Sequence, residues 1–288
     1  MQEYLNIVET VLSTGVKKED RTGVGTITVA GAMFEYDMAG GFPLLTTKTL
    51  PFRLVSSELE FFIRGITSKE WLLTNNNHIW DEWCSPDKVP YSHDKETQAQ
   101  MMAEAELGPI YGWQWRHFGA DYAAHNKKAH GKGVDQLKKI VETLKKDPSD
   151  RRMLVTAWNP VDIHRMALPP CHYGFQITVL NNRLNLLWNQ RSVDVALGLP
   201  FNIASYGLLL HLLAKEGGFE EGKLVGFLAD THIYTNHVDG MEEQLSRKPL
   251  SKPVIKTDPF TSIFDWHYQD SQIADYRHHP KISFEIAV

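Results

Sequence analysis

The chain is predicted to fold as an α+β domain. Helical and extended patterns are interleaved along it without regular βαβ alternation. No Pro-, Gly- or Ser-rich stretch is long enough to be a linker, and a hydrophobic content of 42% against 23% charged residues is that of a globular protein. At 288 residues the chain fits one large domain, so residues 1–288 are read as a single unit.

The elements follow in order. Residues 2–13 carry Tyr4, Leu5, Ile7, Val8, Val11 and Leu12 at helical spacing. Acidic residues interrupt that pattern and no cleavage site follows, so it reads as an amphipathic helix and not a leader. Val24 to Met38, rich in Val, Thr, Ile and Phe, reads as strand. Leu54 to Arg64 reads as a buried helix that holds two awkward carboxylates, Glu58 and Glu60. Residues 84–107 are polar and read as a surface insertion, and 125–132 as a Lys, His and Gly loop. Gly133 to Lys146 is a helix stopped at Asp147-Pro148. Met153 to Trp158, Phe175 to Leu180 and Arg183 to Trp188 read as strands, the last two joined by a turn at Asn181-Asn182. Ile203 to Lys215 is a strongly apolar helix. Lys223 to Leu228 and Ile282 to Val288 close the set as strands.

Composition excludes several classes. A net charge of −5 argues against a dedicated nucleic-acid binder. No run of about 18 apolar residues is present, so no membrane span is expected. Two cysteines, Cys84 and Cys171, make no disulfide framework and fit a reducing, cytoplasmic setting.

The chemistry concentrates between Leu168 and Tyr206. Cys171 follows Pro-Pro, which restricts the backbone and holds the thiol in one direction. A lone cysteine is often only core packing. As a nucleophile it needs a nearby cation, and Arg191 supplies one if the two strands are neighbours. His172 points away from Cys171 if the segment is extended. Arg21, Arg151, Arg152 and Arg191 stand near turns or strand ends, suited to a dianionic phosphate by their forked donors, with Ser192 adding a hydroxyl. No P-loop pattern is present. Glu58, on a helix whose other residues are mostly apolar, is either a proton-transfer group with a raised pKa or the partner of Arg53 or Arg64. Asp194 can face the same cleft. Trp80 and Trp83 are either core or a platform for a flat heteroaromatic ligand. His232 and Tyr234 share one face of an extended stretch and can donate to a sugar hydroxyl. No metal is expected, since His232 and His237 lack a helical HExxH context.

Taken together, DRTGVGT, IWDEW, LGPIYGWQWR, LPPCHYGFQ, QRSVDVALGLPFNIASY, DTHIYTNH and the terminal IAV resemble the folate-dependent, non-flavin thymidylate synthases. The resemblance runs from Tyr4 to Val288, the insertion aside. It implies a three-layer fold with a twisted mixed sheet forming a homodimer interface. It implies dUMP as substrate and 5,10-methylenetetrahydrofolate as one-carbon donor and reductant, with no metal, no membrane and no obligatory nucleic acid. On this resemblance Cys171 is the nucleophile at C6, Glu58 manages protons near O4, Tyr111 helps remove the C5 proton, and Asn202 reads N3–H and O4. Arg21, Arg191 and Ser192 clamp the phosphate, joined by Arg151 and Arg152 from the other subunit. His232 and Tyr234 take the 3′-hydroxyl. Trp80, Trp83, Asp194, Gly198 and the terminal Ala287-Val288 meet the folate.

The sequence departs from the family pattern at Asn189, where Tyr is usual, and at Ala229, Thr178 and Pro51. These positions concern packing and the folate tail more than the chemistry. A uridylate hydroxymethylase, which ends the reaction with water, shares the motifs. The cytidylate version is expected to carry Asp at 202. A silent nucleotide- or RNA-binding relative and an unrelated Cys–His hydrolase are further alternatives. Intact Cys171, Glu58 and Asn202 argue against the first, and the lack of a placeable base argues against the second.

Overall fold

Trp188, Phe34, Tyr36 and Phe175 are all fully buried, and they mark the face on which the molecule is built. They belong to a six-stranded sheet in the computed structural model, which describes residues 1–20, 22–125, 127 and 131–286. In chain order the elements are α1 (Gln2–Thr14), β1 (Val16–Lys18), β2 (Thr26–Asp37), α2 (Phe52–Ile63), α3 (Lys69–Thr74), α4 (Lys95–Ala103), α5 (Tyr111–His117) and α6 (Gln136–Lys146). Then come β3 (Leu154–Thr156), β4 (His172–Leu180), β5 (Arg183–Asp194), α7 (Gly198–Gly217), β6 (Glu220–Tyr234), α8 (Val238–Ser246), β7 (Val254–Thr257) and β8 (Ser271–Ala274).

The sheet order is β1-β2-β6-β5-β4-β3, and β7 pairs with β8 apart from it. Only β5 and β6 run parallel, joined through α7, while the other pairs are antiparallel. The fold is therefore α+β with a mixed sheet, as expected. The turn between β4 and β5 is made by Asn181 and Asn182, at φ 51° and 61°. Asn tolerates that left-handed region, which a two-residue hairpin of this hand requires.

Period-2 alternation explains the two sheet faces. Along β5, Leu184, Leu186, Trp188 and Gln190 are buried, and along β6 Leu224 and Leu228 are. α1 and α7 pack on this side. The other face carries Met33 and Phe227, cross-strand partners that are 59% and 44% exposed.

Boundaries moved for identifiable reasons. α7 begins at Gly198, before the expected Ile203, because Pro200 is tolerated in a first turn and Asp194 Oδ1 accepts the amides of Ala196 (2.9 Å) and Leu197 (3.2 Å) ahead of it. β6 outruns the expected 223–228 at both ends because β2 and β5 flank it along most of its length. The expected strand at 282–288 is overturned for 282–286, which pair with no strand. That segment is fixed by side chains instead: His237 Nε2 donates to the Glu285 carbonyl (2.7 Å) and Phe284 packs on the His237 ring. Residues 84–107 consist of turns and then α4, whose first turn is capped by Asp94 accepting from Thr97 N (2.9 Å). No helix among the described residues is long and apolar enough to cross a membrane.

Candidate active site

The pairing of β4 with β5 builds the centre. Gln190 is the register partner of His172, and the Arg191 amide donates to the Cys171 carbonyl at 2.8 Å. Adjacent strands thus put the guanidinium beside the thiol, with Arg191 Nη2 4.0 Å from Cys171 Sγ. The same guanidinium donates to the carbonyls of Pro170 (3.0 Å) and Pro169 (2.8 Å) and lies over Trp158. The prolines before the cysteine have lost their N–H groups and offer carbonyls that hold the arginine in place. Burial pushes the Cys171 thiol up, and Arg191 pulls it back.

His172 is not the cation. It turns to the core, where Nδ1 meets Tyr206 Oη (3.0 Å) and its ring stacks on Tyr111. Burial drops its pKa to about 3, so it stays neutral. The expectation that it points away from the thiol holds.

Tyr111, the first residue of α5, is buried between Phe62 and His172. Its hydroxyl accepts the Cys171 amide at 2.8 Å, so phenol and thiol are held together through the backbone. Burial raises the phenol well above its ordinary value.

Glu58 is paired with neither arginine. Arg53 donates to the carbonyls of Asn75 and Asn76, and Arg64 bonds Glu60 at 2.6 Å. Glu58 Oε1 accepts the Trp80 indole N–H at 2.8 Å. Burial lifts its pKa to about 7, opposed by that one donor. A carboxyl so placed gives and takes a proton near neutrality with little cost. Trp83 stacks on Tyr91.

Asn202 lies one turn before Tyr206 on α7, and both face the His172–Gln190 pair. Gln190 Nε2 donates to Asn202 Oδ1 (3.0 Å), and Trp188 Nε1 donates to Gln190 Oε1 (3.1 Å). This relay fixes which end of the Asn202 amide is oxygen, leaving its NH₂ to donate. The sequence motif alone assigns Gln190 no role. The signal was there: an amide occupying the inward position after Leu184, Leu186 and Trp188 must find a buried partner.

Asp194 and His232 are register partners at the end of β5 and β6, and Ser192 pairs with Asp230. His232 Nδ1 meets Asp230 Oδ1 at 2.9 Å, and its ring stands edge-on to Tyr234. His232 and His237 therefore serve different partners. A Cβ on Gly198 would sit 3.7 Å from Asp194 Cβ and 3.8 Å from Asn202 Oδ1, so Gly198 keeps the space between them open. Lys48, also unassigned from sequence, donates to the Ala196 carbonyl at 2.5 Å, and burial lowers it to about 8. It reaches the C-terminal segment through the Phe284 ring.

Not every expected residue joins this cluster. Arg151 and Arg152 come just before β3; the Gln176 side chain donates to the Arg151 carbonyl (3.1 Å) and the Ile177 amide to the Met153 carbonyl (3.0 Å), which places them on the order of 20 Å along β4 from Cys171. Arg152 bonds Asp150. Arg21 and Ala287 lie outside the described residues.

A mixed six-stranded sheet sheathed on one face, with thiol, guanidinium, carboxyl and amide gathered where β4 begins and β5 ends, defines an α+β protein with a buried polar cluster beside its sheet. The chain belongs to the thymidylate synthase family, whose sequence model matches residues 2–288. It is similar to the bifunctional dihydrofolate reductase-thymidylate synthase of Paramecium tetraurelia, with 43% identity over 286 residues, 99% of this chain and 61% of that protein. The chain thus spans about three fifths of the length of this curated relative.

Proposed function

We propose that the protein converts dUMP to dTMP, with 5,10-methylenetetrahydrofolate as one-carbon donor and reductant and dihydrofolate as by-product. The observation that carries the reading is the Arg191 guanidinium at 4.0 Å from Cys171 Sγ, beside a hydroxyl, a near-neutral carboxyl and an oriented amide. Cys171 thiolate adds to C6 of the pyrimidine, and negative charge moves to O4. Asn202 donates to O4 and accepts from N3–H, so a cytosine ring leaves buried groups mismatched. Glu58 supplies and recovers the proton at O4 through water. C5, now nucleophilic, takes the one-carbon unit, and Tyr111 helps remove the C5 proton. Loss of that proton breaks the bond between the one-carbon unit and the folate nitrogen, so tetrahydrofolate leaves an exocyclic methylene on C5. Tetrahydrofolate then gives hydride to that methylene and becomes dihydrofolate, and the C6–S bond breaks to free Cys171. Covalent addition divides one hard substitution into easier steps. Arg191, Ser192 and Arg21 hold the phosphate. His232 and Tyr234 hold the 3′-hydroxyl. Trp80, Trp83, Asp194 and Gly198 form the folate side, and the C-terminal segment ending in Ala287-Val288 excludes water there.

A homodimer belongs to this reading. Arg151 and Arg152 are remote from the Cys171 of their own chain, and the open sheet face with Met33 and Phe227 offers the surface through which they reach another. Incubation with dUMP and 5,10-methylenetetrahydrofolate is expected to give dTMP by mass and a rise in dihydrofolate absorbance. Formation of 5-hydroxymethyl-dUMP with tetrahydrofolate instead overturns the hydride step. A Cys171→Ala protein with full turnover overturns the nucleophile.

A further inference from the structure

Lys69, on α3, is a lysine inside the protein, 1% exposed. Among the described residues it forms no ion pair. All three of its ammonium hydrogens go to backbone carbonyls: Asp81 (2.9 Å), Trp83 (2.9 Å) and Met101 (2.8 Å). Burial lowers its pKa, while Cys84, Asp81 and Glu104, the titratable groups around it, raise it.

The first two carbonyls straddle the C-terminal end of the turn that carries Trp80. The third lies in the last turns of α4, where helix carbonyls lack intrahelical donors and a cation is favourable. The other end of the Trp80 turn is also tied down. Asn77, fully buried, donates through Nδ2 to Leu54 O (3.1 Å) and Ser57 Oγ (2.9 Å) on α2, and its Oδ1 accepts the Ile79 amide (3.2 Å). Ser57 precedes Glu58 directly. Trp80 is thus suspended between one anchor on α2 and one on Lys69, and between them its indole reaches Glu58.

We propose that Lys69 is a positioning residue for Glu58: its ammonium fixes the Trp80 turn and ties it to α4, so that the 84–107 segment sets the geometry of the proton-transfer carboxyl. This rests on the reading of Glu58 given above. The groups facing Glu58 are the Trp80 indole and, from α5, the Tyr111 phenol. Neither carries charge near neutral pH, so the indole N–H is the contact that the turn controls.

The test is Lys69→Met compared with Trp80→Phe, and with both together. Expected for Lys69→Met is a kcat reduced roughly 10- to 100-fold, as for a catalytic group displaced by about an ångström, with KM for dUMP within about twofold. The pH–rate limb belonging to Glu58 moves upward, because the carboxylate loses its donor, and the double variant moves it no further than Trp80→Phe alone. Without substrate, the Trp80 indole proton in ¹⁵N-tryptophan-labelled protein exchanges slowly in the parent and rapidly in Lys69→Met. An unchanged limb and unchanged indole exchange in folded Lys69→Met overturn the proposal. If Lys69→Met does not fold, Asp94→Ala, which removes the α4 cap, must speed the same indole exchange, and no change there overturns it. The exchange measurement needs no turnover. Absence of dTMP from the parent protein would defeat the reaction reading while leaving the coupling of Lys69 to Trp80 separately measured.

Discussion

Glu58 shows what a single burial does. Its folded pKa of about 7 stands above the ordinary 4.5, so the folded chain binds more protons than the unfolded chain between those values. Stability is therefore lost as pH rises from about 4.5 to 7, with an upper bound of about 3 kcal/mol for that shift. Glu58→Gln is expected to lose nearly all turnover yet melt higher than the parent at pH 8, with the two melting temperatures converging at pH 4. A parent that melts higher at pH 8 removes the argument that ionised Glu58 opposes folding. At this scale much was legible. A glutamate among Leu59, Phe61 and Phe62 announces its own strain. Its true partner was not legible, because Arg53 and Arg64 lay nearer in sequence and the tryptophan that binds it is 22 positions away.

Among the elements, α5 shows how tightly the site depends on packing. Gly112 lies where a Cβ would meet Phe62 O at 2.6 Å and Phe62 Cα at 2.8 Å, both backbone atoms of α2. Gly112→Ala must push α5 from α2 and carry Tyr111 off the Cys171 amide. The expected cost is about 1–3 kcal/mol of stability, typical of overpacking, with a loss of kcat larger than that of dUMP affinity. Urea melts and steady-state kinetics check both, and unaltered stability would show that the helices separate freely. α5 itself was missed from sequence. Two turns of mixed aromatic and polar residues show no helical period, and its helicity comes from tertiary contact. α1, with its regular stripe, was read to within one residue, while the 282–286 segment was misread because an apolar run does not reveal whether a strand edge is waiting for it.

For the whole molecule the question is where one active centre ends. The arginines proposed for the phosphate divide into Arg191, beside Cys171, and Arg151 and Arg152, remote from it along β4. If the latter act across a dimer, two inactive proteins will complement one another. Arg151→Glu/Arg152→Glu protein mixed with Cys171→Ala protein, after unfolding and refolding together, is expected to recover roughly a quarter of parental activity, since half the random dimers hold one intact site. Recovery no greater than that of the separate proteins would overturn the action of these arginines across a dimer.

The sequence alone determined the α+β class, the long helices and strands, the cysteine with its arginine, and the family to which the chain belongs. Periodicity and short ordered motifs are properties of neighbouring residues, and they survive in one dimension. Tertiary structure decided everything that depends on which distant groups share a buried space: that Glu58 answers to Trp80, that Gln190 orients Asn202, that His172 stays neutral in the core, and that Lys69 spends its charge on three carbonyls. A buried polar group must find a partner, but the cost of leaving it unpaired says only that a partner exists. The fold decides which residue it is.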